Sequence, residues 1–175
     1  MSWEGIAKMN MLTLDRTDIK ILNELQSDAN LTNVELADRV NLSPSPCLTR
    51  VRKLEQTGII HKRVTLLNPK VMGLEVNAYI QVTLDKQPHS ALESFQEAVE
   101  RLPEVMECNW MTGECDFLLR VVVRDVDELE WLIARKLSRI EGVAGIRSNL
   151  VLKQVTYKTA LHIDASRTLS LRLNA

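Results

Sequence analysis

A chain of 175 residues with 45% hydrophobic side chains can bury one large or two small cores, and its formal net charge of -1 excludes a uniformly basic or acidic surface. No run approaches 18 uninterrupted apolar residues, and residues 1–13 lack the basic-then-apolar pattern of a signal peptide, so a cytoplasmic protein with no membrane partner is expected. Cys47, Cys108 and Cys115, with His61, His89 and His162, show neither paired nor metal-type spacing; no disulfide framework, metal or cofactor is expected.

Residues 1–13 contain Trp3, Met9 and Met11 without a clear period and read as a mobile leader or a short helix packed on a domain edge, with Met9 or Met11 as alternative starts. Asp15 can cap a helix to about residue 27, in which Ile19, Leu22 and Leu25 recur at helical spacing beside Ile21. Thr32 and Glu35 form a capping box for a second helix with Leu36, Ala37 and Val40 inward. It ends at Asn41, a residue that tolerates the left-handed backbone of a tight helix-turn-helix corner.

The third helix, over 43–57, organises this half. Ser43 is expected to accept a bond from a first-turn amide, and Pro44 and Pro46 occupy first-turn positions where a missing donor costs little. At 100 degrees per residue, Cys47, Leu48, Val51 and Leu54 share an inward stripe, while Ser45, Thr49 and Lys53 point away with Arg50 and Arg52 on the flanks. Gly58 suits a left-handed C-terminal cap. Between residues 39 and 63 stand six basic side chains, Arg39, Arg50, Arg52, Lys53, Lys62 and Arg63, against the single acid Glu55. The positive charge is local, as phosphate contact requires. Residues 59–67 alternate imperfectly and carry Lys62 and Arg63, which fits a wing along the phosphates or a plain linker strand.

After a turn at 68–70 and a break at Gly73, the pattern changes. Strands are predicted at 76–84, 105–111, 117–123 and 146–155, with helices over 92–102 and 125–140; Asp125 and Glu128 form the second helix's box. This βαββαβ order is ferredoxin-like. Residues 117–123 and much of 150–152 are apolar on both faces, so the sheet face away from the helices is expected to be covered by a second copy, a homodimer with higher assemblies possible.

The stretches 14–18, 33–37, 42–47 and 64–69, with the Thr112-Gly113-x-x-Asp116 loop downstream, resemble the leucine-responsive regulatory protein/AsnC (Lrp/AsnC, feast/famine) family of prokaryotic transcription regulators, and within it regulators of amino-acid catabolism. The resemblance, over about 14–163, implies an α+β chain: an N-terminal winged helix-turn-helix domain (14–67) after the leader (1–13), a hinge (68–75) and a C-terminal ferredoxin-like ligand-sensing and oligomerisation domain (76–163). Beyond it lies a tail (164–175) whose mixed polar residues from Ala165 read as disordered. It carries DNA contact onto Ser43, Ser45, Thr49, Arg50, Arg52 and Lys53, and effector contact onto Thr112, Gly113, Glu114, Cys115, Asp116 and Ser148. The implied partners are double-stranded DNA, further copies of the chain up to octamers or beyond, and an amino-acid effector. Many relatives have an aromatic where this chain has Cys115, so effector identity does not transfer.

On its own chemistry, a glycine turn offers amides to a carboxylate while Asp116 or Glu114 holds an ammonium; the competing reading is a bare hairpin turn. An enzyme with Cys115 as nucleophile, assisted by Asp116 or His162, is disfavoured because a neighbouring carboxylate raises a thiol pKa. The expected function is a sequence-specific transcriptional regulator whose effector alters assembly or DNA affinity. The alternatives are an amino-acid sensor or a DNA-architectural protein without effector control.

Overall fold

The computed structural model describes residues 11–85, 89–164 and 168–172. Along the chain run β1 (Met11–Leu14), α1 (Arg16–Ser27), α2 (Asn33–Arg39), α3 (Pro44–Gln56), β2 (Val76–Leu84), α4 (His89–Glu100), β3 (Val105–Trp110), β4 (Phe117–Val123), α5 (Val126–Trp131), β5 (Val143–Leu150) and β6 (Leu169–Arg172). They fall into two compact units, Met1–Thr65 with Thr156–Ala175, and Leu66–Val155.

In the first unit each turn is fixed by local chemistry. Asp15 Oδ1 accepts from the amides of Thr17 and Asp18 at 2.9 and 2.8 Å, and Asp18 Oδ2 accepts from the Asp15 amide at 3.1 Å, which closes a capping box ahead of α1. Thr32 and Glu35 form the expected box on α2. Asn41 lies at φ 57. Its N–H donates to Asp38 O at 3.3 Å and that of Leu42 to Ala37 O at 2.9 Å, the paired bonds of a Schellman corner. Gly58, at φ 74, caps α3. Ile19, Ile21, Leu36, Ala37, Cys47 and Leu54 form the centre of the core.

The chain ends differ from the expectation in three places. Residues 11–13, expected in the leader, form a strand with Leu14, paired antiparallel with β6 from Met11↔Arg172 to Leu14↔Leu169, and Leu12 and Leu14 are buried. Residues 156–163, expected in the sensing domain, sit in the first unit: Ile163 packs on its core, Asn23 Nδ2 donates to Ile163 O at 3.2 Å, and Gln26 exchanges two bonds with the Leu161 backbone. The tail expected to be disordered contains β6. Four-residue strands carry too short a pattern to be read, and this pair joins opposite ends of the chain. Residues 1–10, 86–88, 165–167 and 173–175 lie outside the described residues.

The second unit is a four-stranded antiparallel sheet in the order β3-β4-β2-β5, the ferredoxin-like order. Ala78, Ile80, Val82 and Leu84 alternate inward and meet Phe117, Leu119 and Val121 beneath Phe95, Val99, Leu129, Leu132 and Leu137. The rings of Phe95 and Phe117 are 4.5 Å apart between centroids. Beyond α5 the backbone continues as a π-turn over Leu132–Lys136 and a 3-10 turn over Leu137–Arg139. The wider turn lets Leu132 and Leu137 both reach the sheet. On the other face, Asn77, Tyr79 and Gln81 lie opposite Val122, Arg120 and Leu118, so that face is mixed rather than wholly apolar. β5 ends at Leu150, short of the expected 155, and residues 59–67 form no strand, neither the wing strand nor the linker strand expected there.

Candidate nucleic-acid interface and effector site

α3 has the two sides that its spacing predicts. Cys47, Val51 and Leu54 are buried and Leu48 half-buried; burial pushes the Cys47 thiol up and keeps it a small hydrophobe. Ser45, Thr49, Arg52 and Lys53 are exposed. The entry differs in one respect. Ser43 has the extended backbone of an N-cap but its hydroxyl makes no cap bond. The usual target is the amide of the second or third helical residue, and the third here is Pro46, which has none.

The flank of α3 is not equivalent to its face. Arg50 Nη1 donates to Asp15 Oδ2 and to Asp18 Oδ1, each at 2.7 Å. Burial alone would raise the Asp15 carboxyl, but the Asp18 amide and the Arg50 guanidinium outweigh it and hold the carboxyl below its ordinary value. The same carboxylates, Asp18 first, push the Arg50 pKa further up. The Arg50 charge is thus engaged within the protein. Arg63 pairs with Glu55 at 2.9 Å, while Lys62 is exposed. Asp18 was not a candidate from sequence; its place as third residue of a helix capped by Asp15 was the available signal.

The effector candidates divide. Thr112, Gly113 and Asp116 line one concavity of about 350 Å³ together with Trp110 and Met111, two residues that motif spacing did not single out. Gly113, at φ 117, adopts a backbone that favours glycine. Glu114 is exposed and Cys115 half-buried in the same turn. Asp116 is buried: its Oδ2 accepts from the Leu84 amide at 2.7 Å and its own N–H donates to Val82 O at 2.9 Å. The Leu84 amide sits at the register shift between Thr83 and Leu84, so Asp116 satisfies a donor that the bulge removes from the ladder. Ser148, opposite Ile80 on edge strand β5, is not part of this concavity. His162 belongs to the other unit from Cys115.

Among the described residues no group of three or more His, Cys, Asp or Glu could hold a metal ion, and no helix is long and apolar enough to cross a membrane.

A helix-turn-helix with one cationic helix face, joined to a ferredoxin-like sheet with a glycine turn at its end, defines a DNA-binding regulator with a ligand-binding domain. Family models agree: residues 14–61 match a winged helix-turn-helix DNA-binding domain and residues 77–161 an Lrp/AsnC ligand binding domain. The chain is 40% identical over 150 residues to the leucine-responsive regulatory protein of Escherichia coli K12, covering 86% of this chain and 92% of that one. A transcriptional regulator from Neisseria meningitidis, solved with L-Met, superposes with a TM-score of 0.82 at 41% identity, covering 85% of this chain and 96% of the other. An AsnC family regulator from Agrobacterium tumefaciens superposes at 0.81 with 36% identity, covering 85% and 97%. The chain belongs to the Lrp/AsnC family of transcriptional regulators.

Proposed function

We propose that this regulator reads double-stranded DNA through Ser45, Thr49, Arg52 and Lys53, with Ser43 and Lys62 at the margins, and that an amino-acid zwitterion bound at the 112–116 turn changes its assembly or its DNA affinity. The observation that carries the reading is the division of α3 into a buried side and an exposed side of hydroxyls and cations. A dimer would present two such helices to half-sites about 34 Å apart. The partly apolar sheet face bearing Tyr79 and Leu118 is where we place the second copy, with octamers built from dimers. The protein acts in the cytoplasm.

For the effector, the turn amides around Gly113 suit a carboxylate. Asp116 is tied to Leu84, so the ammonium falls to exposed Glu114. The Neisseria relative solved with L-Met supports an amino acid as the chemical class. Ser148 has no such geometric support and stays on the resemblance alone. Homologues are regulators, and no step here requires a catalytic residue.

A thermal-shift screen against individual amino acids and keto acids tests the effector. A ligand that binds only the folded state at 100 times its Kd stabilises by about 2.7 kcal/mol and raises the midpoint. Sedimentation with the hit should then differ from sedimentation without it. A flat screen together with unchanged sedimentation favours the alternative, an architectural DNA-binding protein without effector control.

A further inference from the structure

The capping box of α1 has an unusual division of labour. Each of its two carboxylates uses one oxygen for the helix cap and the other for Arg50: Asp15 Oδ1 accepts from backbone amides while Oδ2 takes the guanidinium, and Asp18 Oδ2 closes the box while Oδ1 takes the same nitrogen. The Asp18 side chain is 9% exposed and that of Arg50 34%. Arg50 lies beside the face that carries Ser45, Thr49 and Lys53, on a wall of the concavity that these residues also line. Both bonds are made by Nη1 alone, so swinging the guanidinium off this grip to reach deep into a groove would strand the buried Asp18 carboxylate.

We infer that Arg50 is a positioning residue for DNA recognition: gripped by Asp15 and Asp18, it sets the rotation of α3 about its axis, so that Ser45, Thr49 and Lys53 meet the groove together. This rests on the DNA-binding reading of α3. It differs from a direct contact in what it governs. A phosphate contact adds affinity on every sequence, and a base contact reads one base pair; a rotational tether affects all read positions and leaves phosphate attraction in place.

The test uses a duplex enriched from a random pool by the wild-type full-length protein, beside an unrelated duplex, with Arg50→Ala, Arg50→Lys, Asp15→Asn, Asp18→Asn and Asp18→Asn/Arg50→Ala. The asparagine variants keep acceptors for the cap while removing charge. The expected result is that Arg50→Ala weakens the enriched duplex by about tenfold and the unrelated one by less than about twofold, with an unchanged slope of log Kd against log salt. Asp18→Asn should weaken the enriched duplex in the same direction, and the double variant should bind no worse than Arg50→Ala, because both remove one interaction. Should Arg50→Ala fail to fold, Arg50→Lys and the two asparagine variants provide the same comparison. A salt slope lower by about one, discrimination lost at a single base pair, or tighter binding by Asp18→Asn would each make Arg50 a direct contact and overturn the inference. If the wild-type protein enriches no duplex, the DNA-binding reading itself fails, a different result from any of these.

Discussion

Lys53 and Arg50 stand three residues apart on one helix and have opposite surroundings. Lys53 is exposed, whereas Arg50 is held at 2.7 Å by two carboxylates. Lys53→Ala should therefore weaken binding to every duplex alike and reduce the salt slope by about one, with sedimentation unchanged; anisotropy titrations over a salt series measure both. Acid tests the other side of the helix. The Asp15 carboxyl is held below its ordinary 3.8, so the folded state binds that proton less readily than the unfolded chain. The stability it contributes is present above that value and is lost as pH falls through the depressed folded one. Denaturation midpoints of wild type should fall more steeply than those of Asp15→Asn as the pH is lowered through about 4 and below. The exposed hydroxyls and cations of α3 were legible from a 100-degree period. The partner of Arg50 was not, because a contact between residues 15, 18 and 50 has no spacing signature, nor was the bond from the Leu84 amide to Asp116, because nothing in sequence announces the bulge at Leu84.

Caps and corners decide the elements. The Asp15, Thr32, Asn41 and Gly58 positions were readable because each uses one side chain or one backbone freedom that local sequence specifies. Asn41 at φ 57 gives the clearest stability prediction: Asn41→Gly should be tolerated, whereas Asn41→Val should cost about 1–2 kcal/mol, read from chemical denaturation. Where two rules compete, reading fails. Pro46 fits the first turn, yet it removes the amide that Ser43 would have capped. Asp125 accepts from the Glu128 amide at 2.7 Å, but Glu128 returns its bond to the Arg124 amide at 2.8 Å, one residue before the cap, so the expected box on α5 is only half closed. The π-turn after α5 follows a stripe in which Leu132 and Leu137 are both fully buried, a spacing that period counting absorbed as an ordinary helix.

At the scale of the whole molecule, the βαββαβ order was legible because six elements of clear period occur in sequence, and the strand order follows from right-handed crossovers. The assignment of 156–172 was not, since its contacts are with α1 and β1 more than a hundred residues earlier. Removing residues 165–175 should raise hydrogen exchange in β1 and α1 while leaving the β3-β4-β2-β5 sheet as protected as before. Equal loss of protection in both would mean that the units do not unfold separately.

The pairing of β1 with β6 also has a meaning in time. A ribosome delivers β1 before the sheet unit and β6 after it. During synthesis Leu12 and Leu14 have no strand to lie beside until the sensing sheet has already emerged. The DNA-binding unit is therefore begun before the sheet unit and completed after it, and a nascent chain halted before residue 169 carries its recognition helix on a unit whose edge is still open.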